Sequence, residues 1–260
     1  MAADWLAVSE VDSRRFGLRL ARNRLDREIP DAATARADIQ ASGADVLVLR
    51  VRSGDVATPR ALAAADAELI YADSLVYYGI TPGRGRDALQ PPAGVVVRAA
   101  AASDEASIDR IARLAFRDYA SHYAANPRLH RPGDIALGYA EWAVDHLRAT
   151  DPCKSTWVAE ADSQVVAFAT VRSPAAPDVS EVLLNAVSPG HQGRGVYPAL
   201  LSGILSGLQS RGVAALRIST QLANVRVQRA WSRLGFEIES AYDTYHLNFT
   251  ASTDEGVSPP

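Results

Sequence analysis

Residues 181–197 read EVLLNAVSPGHQGRGVY, and this stretch decides the fold. It begins as an apolar strand, which the Pro-Gly pair at 189–190 interrupts. A turn with Gly193 and Gly195 follows, and a helix opens at once with Pro198 in its first turn, where a missing N–H costs nothing. Glycines let a ligand approach the backbone, and free N–H groups at a helix start favour anions. The stretch therefore predicts a phosphate-binding strand–turn–helix unit.

The spacing of these glycines excludes two common phosphate motifs. The turn lacks the Gly-Lys-Ser/Thr of a P-loop and the GxGxxG of a dinucleotide-binding turn. Taken alone, residues 192–197 fit a phosphate site and an ordinary strand-to-helix turn equally well. The sequence downstream has to decide between these two interpretations.

Composition restricts the class of protein. Of 260 residues, 48% are hydrophobic and 22% are charged, which is typical of globular domains. A net charge of −3 provides no basic surface for nucleic acid, so no nucleic-acid partner is predicted. The single cysteine, Cys153, excludes an internal disulfide. The five histidines show no metal-ligand spacing, so we predict no metal.

Nothing in the sequence indicates a membrane. There is no run of about 18 apolar residues that would predict a spanning helix. The first ten residues lack the basic start and the long apolar run of a signal peptide. We therefore expect a cytoplasmic protein without a membrane partner.

Patterning divides the chain into two domains and a tail. Residues 1–80 alternate short strands and helices and predict a small α/β domain, with a strand at 16–20 and a helix capped by Asp31. Residues 81–94 are rich in Pro and Gly, which predicts a linker and a domain boundary. Residues 95–249 are expected to form the second domain.

The second domain has a recognisable order of elements. The pattern predicts a strand, two helices, a strand hairpin, the phosphate unit, another strand, another helix and a final pair of strands at 236–240 and 242–249. Residues 250–260 form a polar tail that we expect to be disordered.

Two motifs in this order resemble the GNAT acyltransferase superfamily. Its acetyl-CoA motif reads Gln or Arg, two residues, Gly, one residue, then Gly or Ala; Gln192, Gly195 and Tyr197 occupy these positions, and Tyr197 departs from the pattern. Residues 224–236, NVRVQRAWSRLGF, resemble the family's helix from Asn to LYxxxGF, with Trp231 where the family usually has Tyr. Two motifs at the right separation favour the family over an ordinary turn.

The resemblance implies a fold and a co-substrate. The fold is α/β of the α+β GNAT type, with a mixed, mostly antiparallel central sheet flanked by helices and preceded by a smaller degenerate α/β domain. The co-substrate is acetyl-CoA. The residues expected to contact it are Ala186, Val187, Gln192, Gly193, Arg194, Gly195, Val196, Tyr197, Asn224 and Trp231.

A narrower resemblance concerns the acceptor. Residues 218–224 and 116–127, together with Tyr139 and Trp142, look like the bacterial TDP-fucosamine N-acetyltransferases. This implies that a TDP-linked amino sugar is the acceptor, with a homodimer possible. A protein N-terminus, an aminoglycoside or another small amine remains open as acceptor, and so does a non-catalytic CoA-binding module.

Acyl transfer to an amine needs a base for the amine proton. Glu181 is the candidate, six residues before Val187, as the base glutamate is placed in histone-type members of the family. A solvated carboxylate at the strand end is the alternative. Trp231 lacks an ionisable proton, so a tyrosine such as Tyr197, Tyr242 or Tyr245 would have to serve as acid.

An aromatic loop before the second helix supplies the candidates for acceptor binding. His122 and Tyr123 lie in this loop, in a region that covers the acceptor in the GNAT fold. An ordinary surface loop is the alternative interpretation. We therefore expect these two side chains either to contact the amine substrate or to be exposed.

Overall fold

The computed structural model describes residues 3–64, 67–83, 92–129, 134–173 and 179–249. Short 3₁₀ turns at Ala102–Asp104, His122–Ala125 and Pro189–His191 accompany its helices and strands. In chain order these are β1 (Leu6–Val8), α1 (Glu10–Phe16), β2 (Leu20–Asn23), α2 (Ala32–Ser42), β3 (Val46–Arg52), α3 (Ala57–Ala63), β4 (Ala67–Ile80), β5 (Val95–Ala99), α4 (Glu105–Ala115), α5 (Asp134–Arg148), β6 (Lys154–Ala161), β7 (Gln164–Arg172), β8 (Val179–Val187), α6 (Val196–Gln209), β9 (Ala215–Gln221), α7 (Val225–Leu234) and β10 (Glu237–Phe249).

The chain forms two compact units, and neither is continuous in sequence. The first unit contains the described residues up to 74 together with 122–129 and 242–249. The remaining described residues, from 75 to 241, form the second unit. Two segments that the sequence analysis assigned to the second domain thus belong to the first unit. Most of the predicted linker and the predicted tail lie outside the described residues.

The first unit is built on a sheet with strand order β1-β2-β3-β10. Strand β3 pairs parallel with β2 and antiparallel with β10. Leu47 and Leu49 pack with residues of α2 and α3 on one face, and Val46 and Val48 pack with Tyr123 on the other. The alternation arises because successive side chains of a strand point to opposite faces.

The start of the first unit corrects one prediction and confirms another. Residues up to Phe16 are helical rather than extended, because Ser9 accepts a hydrogen bond from the Asp12 amide as N-cap and Gly17 ends the helix at φ +64°. Asp31 caps α2 as expected, accepting from the amides of Ala33 and Thr34 at 3.0 and 3.1 Å.

The second unit contains the strand order β4-β9-β8-β7-β6-β5. All neighbouring pairs in it are antiparallel except β8 and β9, which confirms the mixed, mostly antiparallel sheet. The predicted hairpin is β6 and β7. Val158 packs with α4 and α5, whereas its neighbour Ala159 packs with α6, so helices cover both faces.

The end of the chain corrects a third prediction. Residues 237–249 form a single strand, β10, instead of two short strands. The pattern around residue 241 shows no Pro or Gly that would break the strand, so an extended backbone continues through it. No helix within the described residues combines the length and the apolar character that crossing a bilayer requires.

Candidate cofactor and acyl-transfer site

Strand β8 contains a bulge just after Glu181. Val182 lies opposite Val171 of β7, but Leu184 lies opposite Thr170. Strand β8 therefore has one more residue than β7 at this point, and Leu183 is the extra residue. The extra residue changes the face to which the following side chains point. Val182 packs on the α6 side and Leu184 on the α4 and α5 side, although they are two residues apart. Bulges of this kind often stand next to active sites.

Beyond the bulge, β8 separates from its parallel neighbour β9. The two strands pair from Val179 and Ala215 as far as Val182 and Ile218, and both continue for several residues without further pairing. The β8 edge of residues 183–187 therefore has no β9 partner within the part of the chain that the structure describes. An extended ligand with amide groups can bind to such an edge as an additional strand does. Ala186 and Val187, two of the residues expected to contact acetyl-CoA, lie at this end of β8.

The glycine turn joins β8 to α6. Gly193 and Gly195 have φ of +77° and +79°, a conformation that glycine adopts without steric cost. Gln192 closes the turn by donating from Nε2 to the carbonyl oxygen of Val187 at 3.3 Å. Gly195 is the N-cap of α6, and no side chain among the described residues caps this helix. The amides of Val196 and the next residue are thus available to an anion at the positive end of the helix dipole.

An arginine that the sequence analysis missed lies beside the turn. Arg226, in the first turn of α7, donates from Nη1 to Gln192 Oε1 at 3.3 Å. Its Nη2 would lie 4.0 Å from a Cβ added at Gly193. Arg226 and Arg194 are both exposed, so two guanidinium groups accompany the free amides. Arg226 follows Asn224 by two residues, but that spacing alone would not have identified it.

Asn224 and Trp231 belong to the same helix but make different contacts. Asn224 donates from Nδ2 to Thr220 Oγ1 at the end of β9, at 3.0 Å. Trp231 is 1% exposed and packs edge-on against Tyr78, with 5.2 Å between ring centroids. Its indole therefore forms part of the core.

The indole of Trp231 also orients the phenol of Tyr197. Trp231 Nε1 donates a hydrogen bond to the Tyr197 hydroxyl oxygen at 2.8 Å. Indole is only a donor, so the phenol hydrogen is left to point elsewhere. Burial raises the pKa of Tyr197 well above its usual value, against a smaller opposing effect of the bond from Trp231. The phenol is consequently protonated at neutral pH.

Glu181 lies in the paired half of β8, one residue before the last pair with β9. It is half-buried. Arg172 of β7 and Arg217 of β9 are its cross-strand neighbours. Arg217 also donates from Nε to Glu239 Oε2 at 2.7 Å. The arrangement places a carboxylate between two cationic positions near the point where the strands separate.

His122 and Tyr123, the two residues predicted to contact the acceptor, are buried in the first unit, so the surface-loop interpretation does not hold for them. The Tyr123 hydroxyl donates to Asp12 Oδ1 at 2.8 Å, and Asp12 is also paired with Arg22 at 2.8 Å. His122 is 8% exposed, and its Nδ1 lies 2.9 Å from Nε2 of the fully buried His246. All the other predicted site residues lie in the second unit.

This histidine pair predicts a pH-dependent stability. Burial and the charges of Arg22 and Arg50 lower the pKa of His246 to about 4, and burial lowers the pKa of His122. An unfolded histidine titrates near pH 6.5, so the unfolded chain binds more protons below that pH. We expect the free energy of unfolding to be highest above about pH 6.5 and to fall progressively towards pH 4.

Chemical denaturation between pH 7.5 and pH 4 measures this slope. His246→Gln should flatten it, because one buried titrating group is removed. His191→Gln is the matched control, since His191 lies in the second unit and is not part of the histidine pair. An unchanged slope in His246→Gln would show that other groups cause the pH dependence.

No group of three or more His, Cys, Asp or Glu side chains within the described ranges is arranged to hold a metal ion. The features that remain for chemistry are the separated strands, the glycine turn, the Tyr197–Trp231 pair and Glu181. Together they suit an extended ligand that carries phosphate groups and a reactive end.

Comparison with known proteins agrees with this site. Residues 110–236 match the Acetyltransferase (GNAT) family model, a range that includes the bulge, the turn and α7. The spore coat polysaccharide biosynthesis protein SpsD of Bacillus subtilis is 27% identical over 144 residues, which are 55% of this chain and 47% of SpsD. The match thus spans about half the length of this curated relative.

Solved structures share the fold. A GCN5-related N-acetyltransferase from Sphaerobacter thermophilus superposes with a TM-score of 0.62 at 14% identity, covering 95% of this chain and 77% of that one. A GCN5-related N-acetyltransferase from Kribbella flavida gives a TM-score of 0.55 at 17% identity, covering 90% and 82%. At these identities the likeness concerns the fold alone.

Proposed function

We propose that this chain, whose residues 110–236 form a GNAT acetyltransferase domain, transfers an acetyl group from acetyl-CoA to the primary amine of a nucleotide-linked deoxyamino sugar. The observation that carries the proposal is the glycine turn at the open edge of β8. The turn suits the phosphates of CoA, and the edge suits its extended amide-bearing arm. Acetyl-CoA, the co-substrate, supplies the acetyl group.

Support for a sugar acceptor comes from two resemblances. Residues 218–224 and the region around Tyr139 and Trp142 resemble TDP-fucosamine N-acetyltransferases, and the relative SpsD is named for polysaccharide biosynthesis. The structure adds an aromatic cluster in the second unit. Tyr139 stacks on Phe116 with 4.4 Å between centroids, and Trp142 beside it is 41% exposed. Exposed aromatic rings are suited to contact with the apolar face of a sugar or a base.

The chain's own residues account for the proton movements. Glu181, acting directly or through a water molecule, accepts the proton that the attacking amine loses. The edge of residues 183–187 that points away from β7 is the source of an N–H donor for the developing oxyanion. Tyr197 donates a hydrogen bond from its hydroxyl to the leaving thiolate sulfur and keeps its proton, while Trp231 holds the phenol oxygen. The phenol thus takes the role that a tyrosine at position 231 has in other family members.

A prediction for Tyr197 follows from this geometry. Tyr197→Phe keeps the ring and removes the donor to the leaving sulfur, so turnover should fall about fivefold to tenfold, as for the loss of one ordinary hydrogen bond worth about 1 kcal/mol. The affinity for acetyl-CoA should stay within twofold. Steady-state kinetics and calorimetry measure the two quantities.

Tyr245→Phe is the control, because Tyr245 is another tyrosine considered as acid and packs against Tyr71 in the first unit. Its turnover should equal that of the wild type. A lower turnover in Tyr245→Phe than in Tyr197→Phe would show that Tyr197 is not the donor to the leaving sulfur.

The acceptor is tested by release of free CoA from acetyl-CoA in the presence of a panel of amines. The panel contains TDP-4-amino-4,6-dideoxy-galactose, an aminoglycoside, a peptide with a free N-terminus and a simple alkylamine. Turnover fastest with the TDP-amino sugar supports the proposal. Turnover of another amine instead would replace the acceptor, and binding without any turnover would favour a CoA-binding module.

A further inference from the structure

Among the buried polar atoms of the first unit that have no hydrogen-bond partner within the described residues, three lie next to one another on β3 and β10. They are Arg50 Nε, Thr244 Oγ1 and His246 Nδ1. Thr244 is directly opposite Arg50 in the register of β3 and β10, and His246 is the next residue of β10 on the same face. We call these three side chains the polar face.

Three buried polar atoms without hydrogen-bond partners on one face of the sheet need a physical explanation. Folded proteins pair nearly all buried polar groups, and each exception calls for an explanation such as a bound molecule. Thr244 and His246 are both fully buried, whereas Arg50 is half-buried. The polar face therefore reaches solvent along the Arg50 side chain and has its unpaired atoms below the surface.

The local charge favours an anion. Arg22, which lies on the same face, is neutralised by Asp12 at 2.8 Å. Arg50 Nε has no hydrogen-bond partner, and Arg50 forms no ion pair with a carboxylate of the described residues. Burial together with these two arginines keeps His246 neutral, which leaves one ring N–H on it.

The hydrogen bond between the histidines determines where that N–H can be. If His122 Nδ1–H donates to His246 Nε2, the hydrogen of His246 is on Nδ1 and points away from the pair. In this tautomer the polar face presents three donors, Arg50 Nε–H, the Thr244 hydroxyl and His246 Nδ1–H. Three donors match the several oxygens of a phosphoryl group better than the two of a carboxylate.

We propose that the polar face binds a phosphoryl group through Arg50, Thr244 and His246. Its source is either free inorganic phosphate or the diphosphate of a nucleotide. This site lies entirely within the first unit and is separate from the glycine turn of the second unit. The inference does not depend on the acceptor proposed above.

The full-length protein, labelled with ¹⁵N in its histidines, is titrated with inorganic phosphate and with thymidine diphosphate at constant ionic strength. We expect a saturable shift of the His246 Nδ1–H resonance, because this N–H gains a hydrogen-bond acceptor when the phosphoryl group binds. Arg50→Lys, which keeps the charge and removes Nε–H, should weaken binding at least tenfold. Arg52→Lys is the control, because Arg52 lies on the same strand and face but is exposed over Tyr242.

Thr244→Val provides a second readout that a structural role would not produce. In phosphate-free buffer the variant should unfold at a higher temperature than the wild type, because a buried unpaired hydroxyl is replaced by a methyl group. It should also lose most of the phosphate-induced rise in melting temperature that the wild type shows.

The results of the two titrations distinguish free inorganic phosphate from a nucleotide diphosphate as the source of the phosphoryl group. A shift with both ligands at similar concentrations identifies the free anion, and a much tighter effect of thymidine diphosphate identifies a nucleotide. If neither ligand moves the His246 resonance, or if Arg50→Lys binds phosphate as the wild type does, the proposal is overturned.

Discussion

Replacing Glu181 by glutamine should lower the turnover of the amine acceptor by about a hundredfold, the usual contribution of a general base. The amine of a sugar is largely protonated at neutral pH, so a carboxylate that accepts its proton should accelerate attack. Glutamine keeps the shape of the side chain and cannot accept the proton. The affinity for acetyl-CoA should change little, and the ascending limb of the pH–rate profile should shift.

Glu237→Gln is the matched control for this variant. Glu237 lies at the exposed start of β10 in the second unit, so its loss should leave turnover and the pH profile unchanged. Glu181 is flanked by Arg172 and Arg217, and melting temperatures of both variants show whether the sheet has been disturbed. A loss of only about twofold with the wild-type pH profile would exclude Glu181 as base and favour a chain of water molecules.

Gly195→Val should raise the dissociation constant of acetyl-CoA at least tenfold, equivalent to about 1.4 kcal/mol. The backbone there has φ of +79°, which a β-branched residue adopts with strain. A Cβ added at Gly195 would also lie 2.9 Å from Pro92 Cγ, so the turn or Pro92 must move. Either change displaces the free amides at the start of α6 from the phosphates they are proposed to bind.

Variants at two further glycines of the same region distinguish backbone strain from a general disruption of the turn. Gly193→Ala introduces a positive-φ alanine where the nearest atom is 4.0 Å away, so it tests strain without a clash and should weaken binding less. Gly190→Ala has open space and no unusual φ, and it should bind acetyl-CoA as the wild type does. Wild-type affinity in a folded Gly195→Val protein would show that the phosphates bind elsewhere.

Local sequence was sufficient where a feature depends on neighbouring residues. The positive-φ glycines of the turn, the start of α6 at Val196 and the cap of α2 at Asp31 follow from the preferences of a few adjacent side chains. The resemblance to the GNAT superfamily rested on the turn and on α7. The comparison over residues 110–236 confirms the family of that domain.

Features that depend on pairing across the sheet could not be predicted in this way. The bulge at Leu183 is visible only in the register between β7 and β8, and the separation of β8 from β9 only where their pairing stops. Arg226 bonds to Gln192, and Tyr197 accepts a hydrogen bond from Trp231. In each case the partner is 34 residues away in the sequence. Hydrophobic periodicity carries no information about such partners.

The glycine turn and the helices that follow it could be predicted from the residues alone, because they depend on backbone preferences and on the periodicity of apolar residues. The mixed, mostly antiparallel sheet was implied by the resemblance to the GNAT superfamily. Tertiary structure decided which segments share a core. The sequence predicted that His122 and Tyr123 lie in an aromatic loop of the second domain. In the structure they are buried against β2, β3 and β10 of the first unit. Burial and long-range strand pairing are collective, so no short stretch of sequence specifies them alone.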